Sequence, residues 1–164
     1  MIESVPERDH RGHFTRVFST AEFLEQGLNA EVDQCSVSFN ERALTLRGMH
    51  FQKPPFAETK LVRCSKGRLF DVVVDLRPDS PTYCSWYGIE LTEDNWLMMF
   101  IPEGCGHGFL TLQQGTEVAY QISRHYRPEA ADGVRWDDPA FAIEWPAPPE
   151  VISDRDLSFP DFRP

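Results

Sequence analysis

The stretch Lys60-Leu61-Val62-Arg63-Cys64-Ser65-Lys66-Gly67-Arg68-Leu69-Phe70-Asp71-Val72-Val73-Val74-Asp75 decides the fold class. It holds two strand candidates, 60–64 and 68–75, parted by the turn Ser65-Lys66-Gly67. The same pattern continues on both sides of it. Further strands are expected at 14–18, 35–39, 44–51, 86–91, 97–101, 107–112, 117–122 and 142–145. Turn chemistry separates them at Lys53-Pro54-Pro55, Arg77-Pro78-Asp79-Ser80-Pro81, Thr92-Glu93-Asp94-Asn95, Pro102-Glu103-Gly104 and Gln113-Gln114-Gly115. One short helix is signalled near the start. Ser19 and Glu22 have capping-box spacing, Phe23 and Leu24 give an apolar face, and Gly27 is a stop. Many short strands with a single early helix make an all-β sandwich or barrel, and their number favours a jelly roll. An immunoglobulin-like sandwich is the alternative, but its Cys…Trp…Cys spacing is missing. Residues 146–164, rich in proline and acid, read as an extended C-terminal arm with little secondary structure of its own.

At 164 residues the chain is expected to be one domain, 1–164. Its apolar content of 41% and aromatic content of 12% suffice for a packed core. The formal net charge of −10 argues against nucleic acid and anionic membrane surfaces as partners, because both need a basic field. It leaves room for an anionic small molecule held by a few arginines. The N-terminus lacks the apolar core of a secretory signal. The longest apolar run, Trp96 to Ile101, is far too short to span a bilayer. Cys35, Cys64, Cys84 and Cys105 form no CxxC. The expectation is a soluble, cytoplasmic protein with reduced thiols.

Several residues could carry chemistry. In Leu46-Arg47-Gly48-Met49-His50-Phe51-Gln52, a bulge at the glycine would bring Arg47 and His50 to one side; otherwise His50 is a surface histidine beside an edge arginine. Lys60 shares a strand face with Val62 and Cys64. It either points inward toward a carboxylate or anionic ligand, or snorkels to water at the strand end. Asp71 and Asp75 share a face of an apolar strand. Inside a barrel they need cationic partners, with Lys60 and Arg47 as candidates; the alternative is a wet outer face. Pro102-Glu103-Gly104-Cys105-Gly106-His107 matches the P-x-G-x-x-H part of the second cupin signature. Tyr120, flanked by Val118 and Ile122, reads on its own as core, and Asp156 as a tail acid.

No metal is expected. His50 and His107 alone fall short of the three ligands of catalytic zinc or of a two-His-one-carboxylate iron site. The His-x-His of metal cupins is missing, and Phe56 and Ala57 occupy the window for its glutamate. Walker A, GxGxxG and GxSxG motifs are absent from the sequence.

Taken in order, these segments resemble the dTDP-4-dehydrorhamnose 3,5-epimerase family, cupins acting on nucleotide-linked 4-keto-6-deoxy sugars. The resemblance runs from about Asp9 to Asp156. Besides the segments above it includes Asp9-His10-Arg11-Gly12-His13-Phe14, Ser80-Pro81-Thr82-Tyr83, Trp136-Asp137-Asp138-Pro139 and Ile143-Glu144-Trp145-Pro146. It implies a cupin, or double-stranded β-helix, jelly roll and an epimerase that uses no cofactor or metal. The substrate implied is a nucleoside-diphosphate 4-keto sugar, in the first instance dTDP-linked. By that resemblance His50 is the general base, Tyr120 the general acid, Lys60 the group near the enolate oxygen, and Asp156 the carboxylate that orients the base. Arg47, His107 and Asp71 belong to the pocket, and Tyr126 stacks on the nucleotide base. The family also implies a homodimer in which an N-terminal strand crosses over, so that Arg11 serves the neighbouring site. Three positions depart from the family. Arg16 replaces a glutamate, Gln34-Cys35-Ser36 stands in place of Gln-x-Asn, and Gln121 in place of a lysine. These lie in nucleotide and sugar contacts and leave the chemistry intact, so a CDP- or GDP-linked substrate is an alternative. A sugar-nucleotide-binding cupin without turnover is another, against which the intact His50, Lys60, Tyr120 and Asp156 set argues. A metal-dependent cupin oxygenase or isomerase is disfavoured by the missing His-x-His.

Overall fold

The computed structural model describes residues 1–163. In chain order the elements are β1 (Ile2–Glu3), β2 (Glu7–Asp9), β3 (Gly12–Phe14), α1 (Thr20–Glu25), β4 (Gln34–Asn40), β5 (Leu46–Gln52), β6 (Lys60–Lys66) and β7 (Arg68–Asp75). They continue as β8 (Trp86–Thr92), β9 (Leu97–Ile101), β10 (Cys105–Thr111), β11 (Thr116–Ile122), β12 (Ala131–Gly133) and α2 (Asp154–Leu157). Two five-stranded sheets result, ordered β1-β9-β6-β11-β4 and β12-β5-β10-β7-β8, with β2 and β3 pairing only with each other. All pairings within the sheets are antiparallel. The expected all-β jelly roll is what the chain forms.

Alternation along β7 explains the layering. Leu69, Asp71 and Val73 face the first sheet, and Leu69 joins Val62, Met99, Phe109 and Val118 in the central core between the two. Val72 and Val74 face outward, yet they are buried too, under Val134, Phe141, Trp145 and Phe162 of the later chain. This is why both faces of β7 carry apolar residues, with Val72-Val73-Val74 in an unbroken run. The outer face of the first sheet is partly covered by Phe23 of α1 with Val17 and Phe18. Ser19 caps α1 as the sequence suggests, with its side chain accepting from the Glu22 N–H.

Two strand expectations and the expectation for the arm need correction. Residues 15–18 and 142–145 are not strands, although Val17, Phe18, Ile143 and Trp145 do pack. Their apolar spacing records burial rather than ladder pairing. The arm is not wholly extended. It carries α2, capped by Ser153, and Val151 bridges Thr45. Among the described residues, no helix is long and apolar enough to cross a membrane, and all four cysteines are free thiols.

Candidate active site

The functional side chains converge because β5 is bulged. His50 pairs with His107 and Arg47 with Phe109, so Gly48 and Met49 together oppose the single residue Gly108. Only glycines fit there. Gly48 has φ +144, and a Cβ on it would come 2.5 Å from the Cα of Gly108. The bulge turns Arg47 and His50 onto the same face, and both line a cavity of about 600 Å³ between the sheets. That volume suits a small-molecule site. Its walls divide by sheet. His50 and His107 come from β5 and β10, whereas Ser36, Lys60 and Tyr120 come from β4, β6 and β11 opposite. A recess of about 210 Å³ beside His50 and Lys60 is lined by Gln34, Glu58, Arg124, Tyr126 and Arg155.

Asp156 is not a tail acid. The N-cap of α2 holds it 3% exposed, with its N–H donated to Ser153 Oγ at 3.1 Å. Its Oδ1 lies 2.6 Å from His50 Nε2, and its Oδ2 accepts the Gly48 N–H at 3.2 Å. Burial by itself raises the Asp156 carboxyl. The hydrogen bond and charge of His50, with Gly48 and Ser153, outweigh that, and the net shift is downward. Asp156 is therefore an anion at neutral pH. With Nε2–H donated to it, the neutral imidazole keeps its lone pair on Nδ1.

Lys60 points inward, 12% exposed, and its partner is one the sequence reading missed. Glu58, 5% exposed, sits 3.1 Å from Lys60 Nζ, which also donates to the His50 carbonyl at 3.2 Å. The signal was available: an inward lysine needs a carboxylate, and residue i−2 lies on the same strand face. Lys60 and Arg47 do not pair with the acids of β7. Asp71 is fully buried and bonds His107 Nε2 at 2.8 Å, with its other oxygen unpartnered. It stands behind His107 rather than lining the cavity. Asp75 binds Arg77, Ser80 and Thr82 and shapes the loop after β7. Arg47 Nε donates to Asn40 Oδ1 at 2.8 Å, another partner not foreseen. Burial, with the nearby Asp71 charge, pushes the Tyr120 phenol well above its ordinary range against the pull of Arg47, so Tyr120 is neutral.

Gln34 and Tyr126 border the recess and Ser36 the main cavity. Arg11 and Arg16 do not reach this chain's cavity. Arg11 lies in the β2–β3 turn, bonded to Asp9, and Arg16 pairs with Glu22 at 3.0 Å. Among the described residues, no cluster of three or more His, Cys, Asp or Glu side chains is placed to hold a metal ion.

The family model described as dTDP-4-dehydrorhamnose 3,5-epimerase matches residues 1–164. A protein of that name from Sinorhizobium fredii is 42% identical over 155 residues, covering 94% of this chain and 80% of that one. Another from Methanothermobacter thermautotrophicus is 40% identical, covering 99% and 89%. The crystal structure of the Bacillus anthracis protein of that name, with TDP and PPi bound, superposes with a TM-score of 0.94 at 39% identity, covering 98% and 91%. Likeness in sequence and in fold thus runs along the whole chain, through the strands that carry His50, Lys60 and Tyr120 as well as the arm that carries Asp156, and the chain belongs to the dTDP-4-dehydrorhamnose 3,5-epimerase family.

Proposed function

We propose that this chain epimerises a dTDP-linked 4-keto-6-deoxy sugar at C3 and C5, with His50 as base and Tyr120 as acid. The observation that carries the reading is their placement on facing sheets of one cavity. A sugar ring held between the walls presents one face to each residue. The C4 ketone acidifies the neighbouring C–H bonds. His50 Nδ1 takes the proton, the bonding electrons move to the C4 oxygen, and the Lys60 ammonium stabilises the enolate. Tyr120 then gives its hydroxyl proton to the carbon from the opposite side, the ketone re-forms, and the configuration is inverted. An enolate carbon is a stronger base than phenolate, so the raised phenol still transfers. Water returns the proton to Tyr120 and accepts the one on His50. Asp156 holds the imidazole in the required tautomer and stabilises its charged form. The relatives' names and the TDP-bound neighbour support a thymidine nucleotide, with Tyr126 and Gln34 at the recess for its base. The four free thiols are in keeping with a cytoplasmic setting.

A homodimer belongs to the same reading. Val37 and Phe39 on β4 are 62% and 54% exposed, and the β2–β3 hairpin joins neither sheet while exposing Phe14 and Arg11. A second copy would cover that apolar surface and receive Arg11.

The test is proton exchange in deuterated water. His50→Asn is expected to abolish deuterium uptake at the sugar carbons while the fold survives, and Asp156→Asn to slow it by about 10²-fold or more. Undiminished uptake by the His50 variant refutes the assignment.

A further inference from the structure

Asp156 is delivered to His50 by an arm whose own helix, α2, is four residues long and cannot hold its shape unaided. Something else must fix the arm, and the segment Trp136-Asp137-Asp138-Pro139, which the site does not use, supplies it. Asp138 is 2% exposed. Its Oδ1 accepts the Ala140 N–H at 2.9 Å, and its Oδ2 accepts the Phe162 N–H at 2.7 Å. Next to it Arg135 Nη1 donates to Asp161 Oδ1 at 2.7 Å. The Phe162 ring packs 4.9 Å from that of Phe141, within the apolar layer outside β7. Between this anchor and Asp156, Phe159 closes over Gly133, where a Cβ would come 2.4 Å from its ring. Gly133 is the β12 partner of His50, and Phe159 meets the His50 ring edge-on at 6.1 Å. Upstream, the Val151 bridge to Thr45 holds the other end. The arm is therefore a strap fastened at both ends, with Asp156 and Phe159 in its span.

We propose that Asp138, Phe162 and Phe159 are positioning residues for the base. They fix the strap so that Asp156 locks His50 in the tautomer with its lone pair on Nδ1. The proposal rests on His50 being the base, as argued above. Its energetic logic is that a 2.6 Å bond to a ring nitrogen tolerates little displacement. A misplacement of about 1 Å far from the chemistry can cost about 10²-fold in rate.

The test uses the full chain carrying Phe162→Ala or Asp138→Asn, read by steady-state kinetics and by ring-nitrogen NMR of His50. The asparagine keeps the shape but accepts only one of the two N–H groups. Both variants are expected to lose about 10- to 100-fold in kcat with KM changed less than about threefold. The His50 ring should pass from a single Nε2–H tautomer to a mixture. Phe162→Leu, which restores bulk, should recover most of both. Phe159→Leu provides the same two readouts if Phe162→Ala does not fold. Wild-type kcat in these variants, or a loss of kcat with the tautomer unchanged, overturns the proposal. Failure of the base assignment is told apart by His50→Asn. If that variant still turns over, the base is wrong, and the tautomer measurement alone decides whether the strap holds His50.

Discussion

Glu58 shows how much a single buried charge governs the site. Its carboxylate and the Lys60 ammonium lie 3.1 Å apart and are both largely withdrawn from water. Breaking such a pair leaves an uncompensated charge and costs about 3–5 kcal/mol. Glu58→Gln keeps the side chain's shape and removes the neutralising charge, so the protonated lysine becomes costlier to hold beside the developing enolate. The expected result is a fall of at least about tenfold in kcat, about 1.4 kcal/mol in barrier, and a lower unfolding midpoint in urea. Wild-type kcat would show that Lys60 is held by the His50 carbonyl and water alone. At this scale the sequence was legible where chemistry demanded a residue type. His50, Lys60, Tyr120 and His107 do line one cavity. It was not legible where partners depend on which strands adjoin. Asp71 finds His107 because β7 and β10 are neighbours, a fact of topology that spacing along the chain does not carry.

The β5 bulge is the element that assembles the site. A strand in regular alternation would send Arg47 and His50 to opposite faces. Gly48 against Gly108 permits the extra residue, because each backbone fills the space where the other's Cβ would stand. Gly48→Ala is expected to combine strain at φ +144 with a backbone clash, destabilising the protein by about 2 kcal/mol or more. It should also reduce kcat, because it displaces the Gly48 N–H from Asp156. Thermal unfolding and steady-state rates check both, and a variant as stable and active as wild type would mean that the bulge can relax freely. The helix α1 and most strands could be read from caps, alternation and turns. The strand β12 could not, since Ala131-Asp132-Gly133 has no apolar alternation and pairs only through its backbone. The arm misled for a related reason. Its proline content hides a four-residue helix that exists because Ser153 caps it and Asp156 is tied to the sheet.

The whole molecule sets two walls against each other and leaves a sheet face partly bare. If a second copy covers Val37 and Phe39, replacing Phe39 with aspartate places an unpaired charge in the contact. Light scattering should then show dimers for wild type and monomers for Phe39→Asp at micromolar concentration, with activity falling as the neighbour's Arg11 is lost. A wild-type protein that is monomeric and fully active would remove the dimer from the account. The central claim is that base and acid act from opposite walls on one ring. It is tested most directly by proton NMR of dTDP-4-keto-6-deoxyglucose in deuterated water, comparing wild type with Tyr120→Phe. Wild type should place deuterium at C3 and C5 with inverted configuration. The variant, whose His50 can only return a deuteron to the face it deprotonated, should place deuterium at a reduced rate with configuration retained. Inversion by Tyr120→Phe at the wild-type rate would contradict the account.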